Sequence, residues 1–298
     1  MTKRSAFIYL SLIFALLALV ASWYIASFLN REPDSLSFDS SRAYADVQTQ
    51  VAFGPRTPGS AGHAQVQEWM RAELESAGWQ VEVHESERLG HPIYNIIAKR
   101  NAEPPQIILG AHYDTRMFAD NDPDLTKRTE PVPGANDGAS GVAVLLELAR
   151  SLPKDTTPTW LVFFDTEDNG RIEGWDWILG SRAFAEEIPI APRAVVIVDM
   201  IGDADLNIYL EKNSNVAIRT EIWNTAASLG YGDVFINQEK FSMLDDHTPF
   251  LEKNIPAVDI IDFDYPHWHT RKDIPANCSG DSIAKVGHVL LEWLKEVP

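Results

Sequence analysis

The side chains of this chain that can bind a metal or move a proton are gathered into short segments. His112-Tyr113-Asp114 follows the apolar run 107–109, Asp165-Thr166-Glu167-Asp168 follows 160–164, and Asp199 follows 194–198. The run 257–261 leads toward His267-Trp268-His269. Between the first two stands Gly134-Ala135-Asn136-Asp137-Gly138-Ala139-Ser140-Gly141, an acid set among glycines ahead of an apolar helical pattern. Taken singly, Asp137 reads as a helix cap and Asp199 as a turn residue. Brought together they require a cation, because carboxylates crowded away from water repel one another until a positive charge neutralises them. The single cysteine, Cys278, excludes an internal disulfide and a thiolate metal cluster, so the ligands must be His, Asp or Glu. Such a donor set suits a catalytic zinc that keeps one position open for water or substrate.

Other chemistries lack their residues. There is no Gly-x-x-x-x-Gly-Lys loop, no dinucleotide glycine fingerprint and no His-Glu-x-x-His helix. Ser140 lies among small residues but not in a Gly-x-Ser-x-Gly elbow, and nothing near Cys278 activates it as a nucleophile.

The elements that must position these groups follow from periodicity. Residues 42–53 and 63–77 have helical spacing, with Val66, Trp69, Met70 and Leu74 on one stripe and Gly78 as a stop. Val81 and Val83, then 93–98, read as strands; 107–109, 160–164, 194–198 and 257–261 are the nearly continuous apolar runs of buried central strands. Helical patterns at 142–152, 177–185, 215–229 and 283–294 separate them. This alternation predicts an α/β fold, a three-layer α/β/α sandwich with a mixed, mostly parallel central sheet. Functional residues of such sheets collect at the carboxyl ends of the strands, where the acids and histidines above are found.

With 43 acidic against 25 basic residues the net charge is −18, which excludes nucleic acid as a partner. Lys3 and Arg4 precede an uncharged run over 6–29, long enough to cross a bilayer. The expected organisation is an N-terminal transmembrane anchor or signal segment over 1–30, a linker over 31–41 and a zinc-dependent catalytic domain over 42–298. Basic residues before the run and Glu32 and Asp34 after it place the domain on the extracytoplasmic side, membrane-anchored, or secreted if the segment is cleaved.

From Arg56-Thr57-Pro58-Gly59-Ser60 through His112-Tyr113-Asp114, the 134–141 loop, Glu167-Asp168, Asp199 and a late histidine, the order of motifs resembles the zinc aminopeptidase superfamily, which also contains the animal-type glutaminyl cyclases. The resemblance implies two alternatives. In an aminopeptidase, His112, Asp137 and Asp199 would hold one zinc and Asp137, Asp168 and His269 another, with Glu167 as base. In a cyclase, Asp137, Asp168 and His269 alone would hold one zinc, and the substrate would be a peptide or protein N-terminus.

Particular residues resemble the cyclase branch. Trp268 precedes the metal histidine as a pocket wall, Trp175 stands where cyclases place another, and Met243-Leu244-Asp245-Asp246-His247-Thr248-Pro249-Phe250 resembles the cyclase acid loop, in which the first aspartate shares a proton with Asp199. Asp246 is then expected to cap a helix starting at His247. The chain departs from animal cyclases in having Asp168 where they carry glutamate, while Gly138–Gly141 and His112 suit both branches. The implied activity is conversion of N-terminal Gln to pyroglutamate, with Glu167, Asp199 and Asp245 as catalytic residues. The alternatives are a two-zinc aminopeptidase and an inactive membrane-tethered binding domain.

Overall fold

The computed structural model describes residues 38–297; the segment expected to form the anchor, 6–29, lies outside the described residues. Among the described residues no helix is long and apolar enough to cross a membrane. A six-stranded sheet forms the centre, with strands β1 (Gln80–Arg88), β2 (His91–Lys99), β3 (Ile107–His112), β4 (Thr159–Phe164), β5 (Ala194–Asp199) and β8 (Ala257–Ile261) in the order β1-β2-β4-β3-β5-β8. β4, β3, β5 and β8 are mutually parallel, while β1 and β2 form an antiparallel edge. The predicted mixed, mostly parallel sheet is therefore present.

Alternation along the strands builds two cores. Ile107, Leu109, Leu161, Phe163, Val196 and Val198 face helices α1 (Ser40–Ala52), α2 (Ala61–Ser76), α3 (Ala139–Ser151) and α7 (Gly280–Glu296). Ile108, Val162, Phe164, Val195 and Ile197 face α4 (Leu179–Glu187) and α6 (Thr248–Glu252). Both faces are covered, which is why these strands read as continuous apolar runs. Helix α5 (Val216–Ser228) joins the first face through Ile218 and Ile222. The sequence pattern missed a small parallel pair, β6 (Ile208–Leu210) with β7 (Phe235–Glu239), because both are short and half exposed.

Two boundaries differ from the expectation. The first helix, expected from residue 42, starts at Ser40, and the residues just ahead of it already pack on the domain: Phe38 is buried against Gly287, and Asp39 caps α1 by accepting from the Arg42 amide at 3.0 Å. The helix expected over 177–185 starts at Leu179, since the amides of Ile178 and Leu179 donate to the carbonyls of Glu167 and Thr166. That extended contact holds Trp177 alongside Asp168 and projects 169–176 outward as a loop.

Candidate metal centre and substrate pocket

The parallel strands end at a common edge, and three buried acids fix the loops that leave it. Asp114, beyond β3, accepts from the amides of Glu167 at 3.0 Å and Asp168 at 3.3 Å, and from the Asn169 side chain at 3.3 Å. Asp273 accepts from the amides of Asn136 at 2.8 Å and Asp137 at 3.1 Å and from the Tyr265 hydroxyl at 2.8 Å. Asp165 accepts from the Tyr94 amide at 2.9 Å and faces the His63 ring at 2.7 Å. Arg56, fully buried, donates to the carbonyls of Tyr113 and Pro133, each at 3.0 Å, and of Gly134 at 2.5 Å. Burial lowers its pKa to about 10, which still leaves it charged at neutral pH. Asn136 bridges to the β5 loop through the Met200 carbonyl and the Gly202 amide.

Glycine is required where α3 begins. Gly138 has φ +91°, and a Cβ there would lie 2.7 Å from the Asp114 carbonyl; one on Gly141 would lie 2.3 Å from the Val198 carbonyl. The helix can thus press its first turn against β5 and deliver Asp137 beside Asp199.

Two ligand groups result, and they share Asp137. His112 Nε2 lies 3.2 Å from Asp137 Oδ1 and 3.1 Å from Asp199 Oδ1, with Nδ1 3.4 Å from Asp114 Oδ1. His269 Nε2 lies 2.8 Å from Asp168 Oδ1 and 3.6 Å from Asp137 Oδ2, with Nδ1 3.5 Å from Asp120 Oδ1. Each imidazole thus turns one nitrogen to the cluster and the other to a carboxylate, the orientation that makes histidine a better ligand. Neighbours on a tetrahedral zinc stand about 3.3 Å apart, given bonds of roughly 2.0–2.1 Å, and these separations straddle that value. Asp137 Oδ2 and Asp168 Oδ2 are buried without a hydrogen-bond partner. Orphaned carboxylate oxygens converging on histidines fit a divalent cation.

The pocket beside this cluster has a volume of about 200 Å³. Asp137, Glu167, Asp168, Asp199 and Asp245 supply its acids. Burial raises the Glu167 carboxyl well above its usual value, with the charges of Asp168 and Asp245 adding to the effect. Burial likewise raises Asp199 to about 7, with a contribution from Asp245, and raises Asp245 itself. The apolar wall is Trp177, Trp268, Phe263, Ile261 and the rim residues Met243 and Leu244. Trp268 lies against His269, ring centroids 3.9 Å apart, and Trp177 stacks over the same imidazole at 6.0 Å.

The sequence expectation placed the second wall at Trp175, and this is corrected by two residues. Trp175 is outside the pocket, stacked on His91 at 3.5 Å, whereas Trp177 lines it. Gly170 is the sequence feature beneath that arrangement, since a Cβ there would meet the Trp177 ring at 2.1 Å. Asp246 is corrected as well: α6 starts at Thr248 with His247 at the cap position, and the buried carboxylate oxygens of Asp246 have no hydrogen-bond partner. Burial, and then Asp245, hold its carboxyl well above the carboxylate range. His247 lies between Glu211 Oε2 at 3.4 Å and Asp259 Oδ2 at 3.7 Å, so a buried ionisable cluster adjoins Asp245. Sequence reasoning missed Asp273, Asp120, Trp177, Arg171 and Asp259. Asp259 sits mid-strand in an apolar run, the one available signal for a buried acid.

The model described as Peptidase family M28 matches residues 95–294. A glutaminyl-peptide cyclotransferase-like protein of Bos taurus is 25% identical over 284 residues, 81% of this chain and 72% of its own length. Among solved structures, Porphyromonas gingivalis glutaminyl cyclase is 35% identical with a TM-score of 0.82, covering 87% of this chain and 98% of that one. A Zn-dependent exopeptidase from Parabacteroides distasonis is 32% identical with a TM-score of 0.81, over 87% and 98%.

Proposed function

The chain belongs to peptidase family M28, and from that membership, its likeness to cyclotransferases and its pocket we infer that it is a zinc-dependent glutaminyl-peptide cyclotransferase. It converts the N-terminal glutamine of a peptide or protein into pyroglutamate and releases ammonia. One observation carries the reading within the family: a second acid, Asp245, lines the pocket with Asp199, alongside the aromatic walls Trp177, Trp268 and Phe263.

Asp137, Asp168 and His269 would hold a single zinc, which supplies a Lewis acid for the γ-carboxamide carbonyl when bound. Glu167 takes a proton from the α-amine, whose nitrogen attacks the carboxamide carbon. The five-membered lactam closes as the bond to the amide nitrogen breaks, and Glu167 returns the proton to departing ammonia. Its raised pKa suits both halves of that transfer. Asp199 and Asp245 share a proton and hold the leaving nitrogen, since two adjacent carboxyls cannot both ionise cheaply. Trp268 and Trp177 exclude the water that would hydrolyse the amide instead.

The His112, Asp137 and Asp199 group supports a second reading, a two-zinc aminopeptidase with Glu167 as base to the attacking water. Metal analysis and a pair of peptides separate the two. About one zinc per chain with pyroglutamate formed from Gln-initiated peptides supports the cyclase; about two with release of leucine from Leu-initiated peptides overturns it.

Residues 6–29 are proposed to anchor this domain with the pocket on the extracytoplasmic side. The full chain should sediment with membranes, and a chain starting near Ser35 should be soluble and active.

A further inference from the structure

Arg171 is the one basic side chain among the residues lining the pocket, where five acids already gather. It is an exposed residue of the 169–176 loop, just beyond the buried Gly170 and its contact with Trp177. The arginine behind it, Arg116, is already engaged, paired with Asp120 at 2.6 Å and lying over the Trp177 ring at 5.0 Å. Arg171 by contrast makes no ion pair among the described residues, although the chain carries a large excess of acids. Its backbone has φ +62°, a left-handed conformation that glycine adopts freely and a long side chain adopts at a cost. A charged residue held at a strained rim position, with no ion-pair partner among the described residues, is placed for a ligand.

The interior of the pocket is complementary to an amine and a carboxamide, and the rest of a peptide substrate must leave across the rim. We propose that Arg171 is a specificity-determining residue that pairs with a carboxylate on the substrate just beyond the reacting N-terminal residue. The carboxylate is either an acidic side chain at the second position or the free C-terminus of a very short peptide. The proposal rests on the cyclotransferase reading for the identity of the first residue, but not for the preference at the second.

The test uses the full-length zinc-loaded enzyme with Gln-Glu-Ala-amide, Gln-Ala-Ala-amide and Gln-Lys-Ala-amide, and the dipeptide Gln-Ala as free acid and as amide. The wild type should favour Glu over Lys by about fivefold in kcat/KM, chiefly through KM, as an exposed ion pair allows. The preference should shrink in high salt. Arg171→Gln should bring the ratio close to one and Arg171→Glu should invert it. Comparison of the two dipeptides tells which carboxylate is read: a preference for the free acid that Arg171→Gln removes assigns the C-terminus, and a preference confined to the tripeptides assigns the side chain. Arg171→Gly supplies a variant whose backbone suits the site, and it should lose the preference while its melting temperature holds or rises. If the Glu to Lys ratio survives all three substitutions, or if they slow every substrate equally, the proposal is wrong. If the wild type forms no pyroglutamate, the cyclotransferase reading fails, and the matching Leu-initiated series, read by leucine release, applies the same ratio to Arg171.

Discussion

Glu167 and Asp168 are adjacent carboxyls whose proposed roles separate by their partners: Asp168 faces His269 at 2.8 Å, while Glu167 has no ligand histidine within ion-pair distance. Glu167→Gln should therefore abolish turnover and retain zinc, whereas Asp137→Ala, Asp168→Ala and His269→Ala should lose both. Zinc content measured beside activity checks this, and severe zinc loss in Glu167→Gln would mean the two roles are exchanged. Asp245 offers a sharper test. Its charge adds to the upward shift of both Glu167 and Asp199, behind the dominant effect of burial. Asp245→Asn should cut pyroglutamate formation at least about 100-fold, roughly 3 kcal/mol of barrier, with zinc content retained. Removing that negative charge lowers the pKa of the remaining acids. The base form then exists at lower pH, so the acid limb of the residual kcat/KM profile should move down. An unmoved limb would place Asp245 outside the proton network.

At the scale of elements, what positions the metal cluster is largely a set of loops held by buried carboxylates. Asp273 is the clearest, because it accepts from the backbone of the very residue, Asp137, that the two ligand groups share. Asp273→Ala should weaken zinc about 10- to 100-fold, as loss of a supporting contact does, and chelator competition measures it. Nothing in the sequence marked Asp273 for this role, since it sits in an irregular segment and acts on a residue 136 positions away. The central strands were legible because burial on both faces writes an uninterrupted apolar run, as in 107–109 and 257–261. The strand-end acids were legible because parallel topology brings carboxyl ends together. Trp177 was not, because its place depends on two backbone hydrogen bonds that delay α4 by two residues, which side-chain periodicity does not record. The edge pair β6 and β7 escaped for a related reason, having too little buried surface to impose a pattern.

For the molecule as a whole, buried acids couple stability to pH and metal. Burial is the leading cause that raises Asp46 to about 6 and Asp262 and Asp273 to about 7, all above the unfolded value of 3.8. A raised folded pKa contributes stability below the unfolded value and loses it as pH climbs through the folded one. The zinc-free protein should thus lose melting temperature between about pH 4 and pH 7. Zinc binds deprotonated carboxylates and neutral imidazoles, so it should restore more stability at about pH 8 than at about pH 5.5. Melting curves with and without chelator at both values check the sign. The guanidinium of Arg56 bears on how that state is reached. Its bonds to Tyr113, Pro133 and Gly134 make the loop carrying Asp137 depend on a residue near the start of the domain. Long stretches of chain must close before that stitch exists, and closure of distant contacts is the slow part of folding. Metal capture becomes a late kinetic event, so on dilution from denaturant zinc uptake should trail the recovery of helical signal, making the ion a clock for completed assembly.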